Sequence, residues 1–200
     1  MADSDNQDLA ARRNEAMADL RTFVREVEAE GELQRVKGAR TDLEIGALFE
    51  LSNEHLYPPV LMFEDVEGFD PRFRILSNVR TSRFLVGEIS LDAVKAYRAR
   101  PKGKSREPIP PQEVNTGPVM DNIVEGDAVD LSVYPAPRWH EKDGGNYIGT
   151  ECMVIIKDPD SDWVNLGTYR VMVQDDRRLS VFIEPGKHGD VIRRKYWARG

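Results

Sequence analysis

Asn165-Leu-Gly-Thr-Tyr-Arg170, followed by Lys187-His188 and preceded by Asp143-Gly-Gly145 and Thr150, sets an amide, a guanidinium and an imidazole along one predicted β-hairpin. Asparagine offers a neutral oxygen ligand, histidine an imidazole nitrogen, and arginine a fork of donors matched to a carboxylate or phosphate. Together they suit a divalent cation held against an anionic cofactor. Two protein ligands fall short of the roughly six that a hard cation takes, a carboxylate usually among them. After His188 the only acidic residue is Asp190. The cofactor and waters, or a further ligand, must complete the sphere.

The elements that carry these residues read as β-rich. Short apolar runs at 119–124, 148–157, 164–174 and 179–184 are joined by polar turns, and the turns at 158–162 and 175–178 are the clearest hairpin signals. The turn at 175–178 folds the strands carrying Asn165 and His188 toward a common point, and residues 191–198 follow as a short basic helix. The Asp-rich run at 158–162 resembles a calcium loop in composition but lacks the glycine and the distal glutamate that such a loop needs.

Upstream the character is mixed. Residues 9–30 place Leu9, Met17, Leu20, Phe23, Val24 and Val27 at helical spacing before Gly31, a C-terminal stop. Thr41-Asp-Leu-Glu44 reads as a capping box opening a helix through Ser52, with Leu43, Ala47, Leu48 and Leu51 on its buried face. Residues 60–63 and 73–76 read as strands around the turn at 67–71, and 91–100 as a further helix. Residues 101–111 hold four prolines and a glycine and little to bury. The expected organisation is a disordered tail at 1–8, an α/β (α+β) domain at 9–100, a Pro-rich linker at 101–113, and the first part of a β module at 114–200.

Two hundred residues can build a real core. A hydrophobic content of 40% without a long apolar run excludes a transmembrane helix, and the acidic start lacks a secretory signal's apolar stretch, so a cytoplasmic location is expected. A net charge of −7 argues against a nucleic-acid surface. The lone Cys152 lies in an apolar run, as a buried inert thiol would.

Taken singly, these site residues have ordinary explanations. Asn165 suits a strand edge or turn, Arg170 a cross-strand ion pair with Asp175, Gly144-Gly145 a turn with positive φ, and His55 and His140 the surface or loop packing. No dinucleotide fingerprint, P-loop, Cys-x-x-Cys or G-x-S-x-G is present.

Gly31-Glu-Leu33, residues 61–68, Asp130-Leu131 before Pro135, Asp143-Gly-Gly145 with Tyr147, Lys157-Asp-Pro159, Asn165-x-Gly-x-Tyr-Arg170 and Lys187-His188 together resemble the UbiD family of prenylated-flavin decarboxylases. The resemblance covers nearly the whole chain, is most specific from Asp143 to His188, and extends over the family's amino-terminal part. It implies a nonoxidative, reversible carboxy-lyase acting on aromatic or α,β-unsaturated carboxylic acids with prenylated FMN, Mn2+ and K+. The implied fold is an amino-terminal α/β domain, a flavin-binding split β-barrel and a carboxy-terminal dimerisation domain, the last outside this chain. A homo-oligomer and a flavin prenyltransferase supplying the cofactor are implied partners, with no nucleic acid and no membrane span.

Residue by residue, Asn165 and His188 match the ligands of the metal bridging the flavin phosphate. Thr150, Thr168 and Lys187 match positions lining the cofactor, and Arg170 matches the catalytic arginine beside the reacting carboxylate. In the family that arginine works with two glutamates, which, like a metal-binding glutamate, lie downstream of this segment. Alternatives of another class are a short noncatalytic flavin-binding or partner-binding subunit and a structural module without cofactor.

Overall fold

The computed structural model describes residues 2–87, 92, 95 and 112–200. The predicted helix at 91–100, apart from two positions, and the Pro-rich stretch through residue 111 lie outside them. Two compact units interleave in sequence: residues 1–33, 57–60 and 78–129 form one, and residues 34–56, 61–77 and 130–200 the other. Each unit thus draws on residues from both the expected 9–100 and 114–200 segments. No described helix is long and apolar enough to cross a membrane.

In the first unit, the single helix expected at 9–30 is two, α1 (Ala2–Ala18) and α2 (Leu20–Ala29). The helical backbone from Ala2 also takes in the segment expected to be a disordered tail. The break falls at Asp19, whose extended backbone lets its carboxylate accept from the Arg21 amide and cap α2. Phe23 and Val27 bury the inner stripe of α2, and Arg12 of α1 pairs with Glu26 and Glu30 across the two helices. Gly31 closes α2 at φ 73°, as its glycine signal predicted. A short helix α4 (Arg83–Val86), capped by the Ser82 hydroxyl, follows later in this unit. The strand expected at 119–124 is not formed: residues Pro118–Met120 make a 3-10 turn, and Val119, Ile123 and Val124 are exposed. A proline at its start gives up a ladder donor and fixes φ near a helical value.

The second unit holds a hydrophobic cluster of its own and nearly all of both sheets. Strands β1 (Leu33–Lys37), β2 (Val60–Glu64) and β3 (Ile75–Ser77) form a sheet with β2 central and β2–β3 antiparallel. Ala39, Ile45, Leu61, Phe63 and Val66 cluster beneath it. Helix α3 (Glu44–Ser52) packs there through Ile45, Gly46 and Ser52, whereas Leu51, expected on the buried face, is 60% exposed. The capping box is displaced too. Leu43 occupies the N-cap at φ 65°, and the Glu44 carboxylate reaches back to the Arg40 amide at 2.9 Å. The cause is tertiary: residues 41 and 43 are tied to Arg138 by Arg138 N→Thr41 O at 2.9 Å and Leu43 N→Arg138 O at 3.0 Å. This turns the helix so that Gly46 meets the Trp139 carbonyl and Phe49 meets the Trp139 ring edge-on, with centroids 5.4 Å apart.

From Trp139 the chain turns on the Asp143 carboxylate, which accepts from the Trp139 and His140 amides. His140 pairs with Glu50 at 3.2 Å, and neither Gly144 nor Gly145 needs a positive φ. The chain then enters a second sheet of β4 (Tyr147–Lys157), β5 (Val164–Val173) and β6 (Leu179–Val181), antiparallel throughout with β5 central. Strand β6 is shorter than the predicted 179–184. The closing helix, α5 (His188–Trp197), begins three residues before the predicted 191–198.

An ionic clasp fastens α5 to the β4–β5 turn. Asp158, 3% exposed, accepts from Lys195 Nζ at 2.6 Å and from the Asp160 amide at 2.7 Å, and Arg199 pairs with Asp160. Asp190, 1% exposed, accepts from the Gly186 amide at 3.0 Å and Arg194 Nε at 2.9 Å, and pairs with Arg193. The Lys195 bond lowers the Asp158 pKa, and the Gly186 amide followed by the two arginines lowers that of Asp190. A folded-state pKa below the unfolded one contributes stability that is present above the ordinary carboxylate value of about 4 and is lost as pH falls through the depressed value. Titrating from pH 6 downward should therefore expose the Gly186 amide to hydrogen exchange from about pH 4. The doubly substituted Asp158→Asn, Asp190→Asn protein should show a flatter profile, and an unchanged one would refute the clasp.

Candidate functional site

Strands β4 and β5 pair Cys152 with Tyr169, Val154 with Gly167 and Ile156 with Asn165 on one face, and Met153 with Thr168 and Ile155 with Leu166 on the other. The register slips between Tyr147 and Gly149 and again between Gly149 and Cys152. The second bulge falls at Thr150 and Glu151, and a bulge re-aims side chains that regular alternation would send elsewhere. On the other side of β5, β6 ends at Val181. Phe182 still donates its amide to the Arg170 carbonyl at 3.2 Å, and then the chain leaves for α5. Its departure leaves the Asn165-to-Tyr169 stretch of β5 without a β6 partner. An edge opening of this kind is accessible to side chains from both faces.

A cavity of about 600 Å³ occupies that opening. Its walls include Thr150, Asn165, Thr168, Arg170, Lys187 and His188, all singled out in the sequence, but not Asp143, Gly144 or Gly145. Gly167, Tyr169, Phe182, Glu151 and Glu184 line it as well. Gly167 and Tyr169 lay inside the motif. The other three carried no spacing signal, since a bulge and a strand that ends early brought them in.

Each side chain has a local cause for its position. Asn165 is buried by α5 packing on its face of the sheet, at 9% exposure, yet its amide nitrogen has no hydrogen-bond partner. The two ends of an amide exchange by rotation, so a buried amide end stands open to a ligand. His188 starts α5, its ring edge-on to Trp163 with centroids 4.9 Å apart. Lys187 is the N-cap residue, with its ammonium 3.6 Å from Glu184 and no side-chain cap on the helix. The Asp190 carboxylate holds the preceding turn through the Gly186 amide. The alternative partner for Arg170 is already engaged: Asp175 closes the hairpin turn by binding Arg178 at 2.5 Å.

The electrostatics favour an anion. First-turn amides of a helix have no acceptor inside it, and the helix dipole places positive potential at its start. Lys187 and Arg170 add two cations to the same cavity and offset its two carboxylates, Glu151 and Glu184, so that the helix start decides the sign. For a metal, Asn165 and His188 supply an amide oxygen and an imidazole nitrogen. No cluster of three His, Cys, Asp or Glu able to hold a metal occurs among the described residues. The donor set therefore fits a cation shared with a bound anion, and the orphaned Asn165 amide is the observation that supports it.

A sequence model described as the 3-octaprenyl-4-hydroxybenzoate carboxy-lyase N-terminal domain matches residues 24–90, and one described as the Rift-related domain of the same carboxy-lyase matches residues 112–200. A pyrrole-2-carboxylic acid decarboxylase from Pseudomonas aeruginosa is 32% identical over 93% of this chain and 40% of its own length. Vanillic acid decarboxylase from Sedimentibacter hydroxybenzoicus in its closed form superposes with a TM-score of 0.75 at 26% identity, over 90% of this chain and 40% of that one. The UbiD-class enzyme HmfF from Pelotomaculum thermopropionicum, in complex with FMN, gives 0.69 at 25% identity, again over 90% and 40%. The chain thus spans about 40% of the length of these relatives. With both domain models matched in the family's own order, the chain belongs to the UbiD family and carries its amino-terminal portion.

Proposed function

We propose that the cavity receives the phosphate end of a prenylated FMN together with Mn2+, and that the enzyme containing this segment is a reversible, nonoxidative decarboxylase of an aromatic or α,β-unsaturated carboxylic acid. The observation that carries this reading is the convergence of Thr150, Asn165, Thr168, Arg170, Lys187 and His188 on one cavity. Asn165 and His188 would ligate Mn2+ on the phosphate side, and Lys187 with the start of α5 would neutralise the phosphate. Loss of CO2 leaves an electron pair on carbon that no side chain can accept, and the bound flavin supplies that electron sink.

Within this scheme Arg170 has two tasks. Its planar fork can hold the substrate carboxylate by two parallel hydrogen bonds, fixing the orientation of the bond that breaks. Its charge also keeps a nearby carboxylic acid ionised until that acid is needed for proton transfer. Phe182 supplies apolar surface that displaces water from the reacting end.

The test is a titration of the protein with FMN, with and without Mn2+, followed by flavin fluorescence. Binding should tighten at least severalfold with Mn2+, and His188→Ala should remove the Mn2+ dependence while leaving the metal-free affinity nearly unchanged. Mn2+-independent binding in the unsubstituted protein would refute the metal assignment.

A further inference from the structure

The ring of Tyr169 fills space that two glycines leave open. A Cβ on Gly167 would lie 2.6 Å from the ring carbon Cε2, and one on Gly189 would lie 2.3 Å from the hydroxyl and 3.1 Å from Cζ. Neither glycine adopts a positive φ. Each is therefore required for the room it leaves rather than for its backbone freedom. Gly167 lies two residues before Tyr169 on the same face of β5, and Gly189 is the second residue of α5. The tyrosine ring thus spans from the strand to the first turn of the helix.

At that turn the hydroxyl lies against the start of α5. Tyr169 lines the cavity, and its hydroxyl makes no hydrogen bond to a described residue. The N-cap Lys187 contributes no side-chain cap, so the first-turn amides of α5 stay available. Independently, Asn165 is nine-tenths buried in the same cavity with an unpartnered amide nitrogen, a polar group aimed at a ligand that would complete it. Lys187 and the helix-start amides favour negative charge, against the Glu184 carboxylate 3.6 Å from the Lys187 ammonium, and a phenolic O–H is a donor suited to an oxyanion.

We propose that Tyr169 is a further binding residue of this site: its hydroxyl donates a hydrogen bond to the phosphate received at the start of α5, and its ring, seated on Gly167 and Gly189, sets the spacing between α5 and β5. This rests on the reading of the cavity as a phosphate site. Lys187 supplies charge to that phosphate, whereas Tyr169 supplies a fixed direction.

FMN and riboflavin, which differ by the phosphate, separate the two ideas. Tyr169→Phe keeps the ring and removes the donor, and should weaken FMN binding about tenfold while riboflavin binding stays as it was. Equal FMN affinity in Tyr169→Phe and the unsubstituted protein would overturn the role of the hydroxyl and leave the phosphate site standing. If the unsubstituted protein does not prefer FMN to riboflavin, the phosphate site itself falls, and this proposal with it. The ring's part is read by thermal melting: Gly189→Ala should destabilise the protein when Tyr169 is present and much less in a Tyr169→Ala background. Equal effects in the two backgrounds would overturn the spacer role.

Discussion

Arg170→Ala, in an active enzyme containing this segment, is expected to reduce CO2 release by at least about a hundredfold while flavin stays bound. His188→Ala is expected to do the reverse, losing flavin during purification and recovering part of its turnover when FMN and Mn2+ are resupplied in excess. The contrast follows from position. Arg170 sits on β5 next to the carbonyl contact with Phe182, on the face that carries Thr168. His188 opens α5 on the side of Asn165, where the helix start and Lys187 gather positive charge. In the proposed scheme Arg170 would face the reacting carboxylate, and His188 would anchor the far end of the cofactor. Flavin content by absorbance, measured alongside turnover, checks the assignment. Equal occupancy in both variants with equal loss of turnover would show the roles to be wrongly divided.

The largest expected effect on stability comes from a single methyl group far from the cavity residues. Gly46→Ala inside a helix would ordinarily gain about 1 kcal/mol from helix propensity. Here the added Cβ would stand 1.9 Å from the Trp139 carbonyl oxygen and 2.8 Å from its Cα. Backbone atoms cannot swing aside as a side chain can, so α3 must shift as a body. That shift would disturb Ile45, which is fully buried, and the edge-on contact of Phe49 with Trp139. Overpacking of this kind costs about 1–3 kcal/mol, and sometimes more, so the net change should be a destabilisation of about 2 kcal/mol. Urea unfolding measures it. Ala47→Ser, one residue along on the exposed side of α3, should move the midpoint far less, and a neutral Gly46→Ala would mean that the close approach to Trp139 is not maintained.

How far the sequence alone reached differs from element to element. Strands β4 and β5 and their turns were legible because alternation, β-branched residues and Asp-rich turns agree locally over ten or more residues. The central strand β2 was legible for the same reason, its residues being almost wholly buried and apolar. Helix α3 was found, but its buried face was misjudged, because Arg138 and Trp139 dictate its rotation from nearly a hundred residues away. The break at Asp19 was visible as a capping residue only once the helices on either side had packed. At 119–124 apolar residues suggested a strand that has no partner among the described residues.

The same distinction holds at the site. Residue types and their order along the chain singled out Asn165, Arg170 and His188, which line one cavity, because an amide, a guanidinium and an imidazole carry their chemistry wherever they are placed. What no periodicity encodes is the bulge at Thr150 and Glu151 in the β4–β5 pairing, the early end of β6 that opens the edge of β5, and the pair Lys195–Asp158 that seats α5. Each of these is a contact between residues distant in sequence, stabilised only when its partner is already in place. The chemistry of this protein was therefore determined by side-chain identity, and its convergence on one cavity by long-range packing and ion pairing, which exist only in the folded chain.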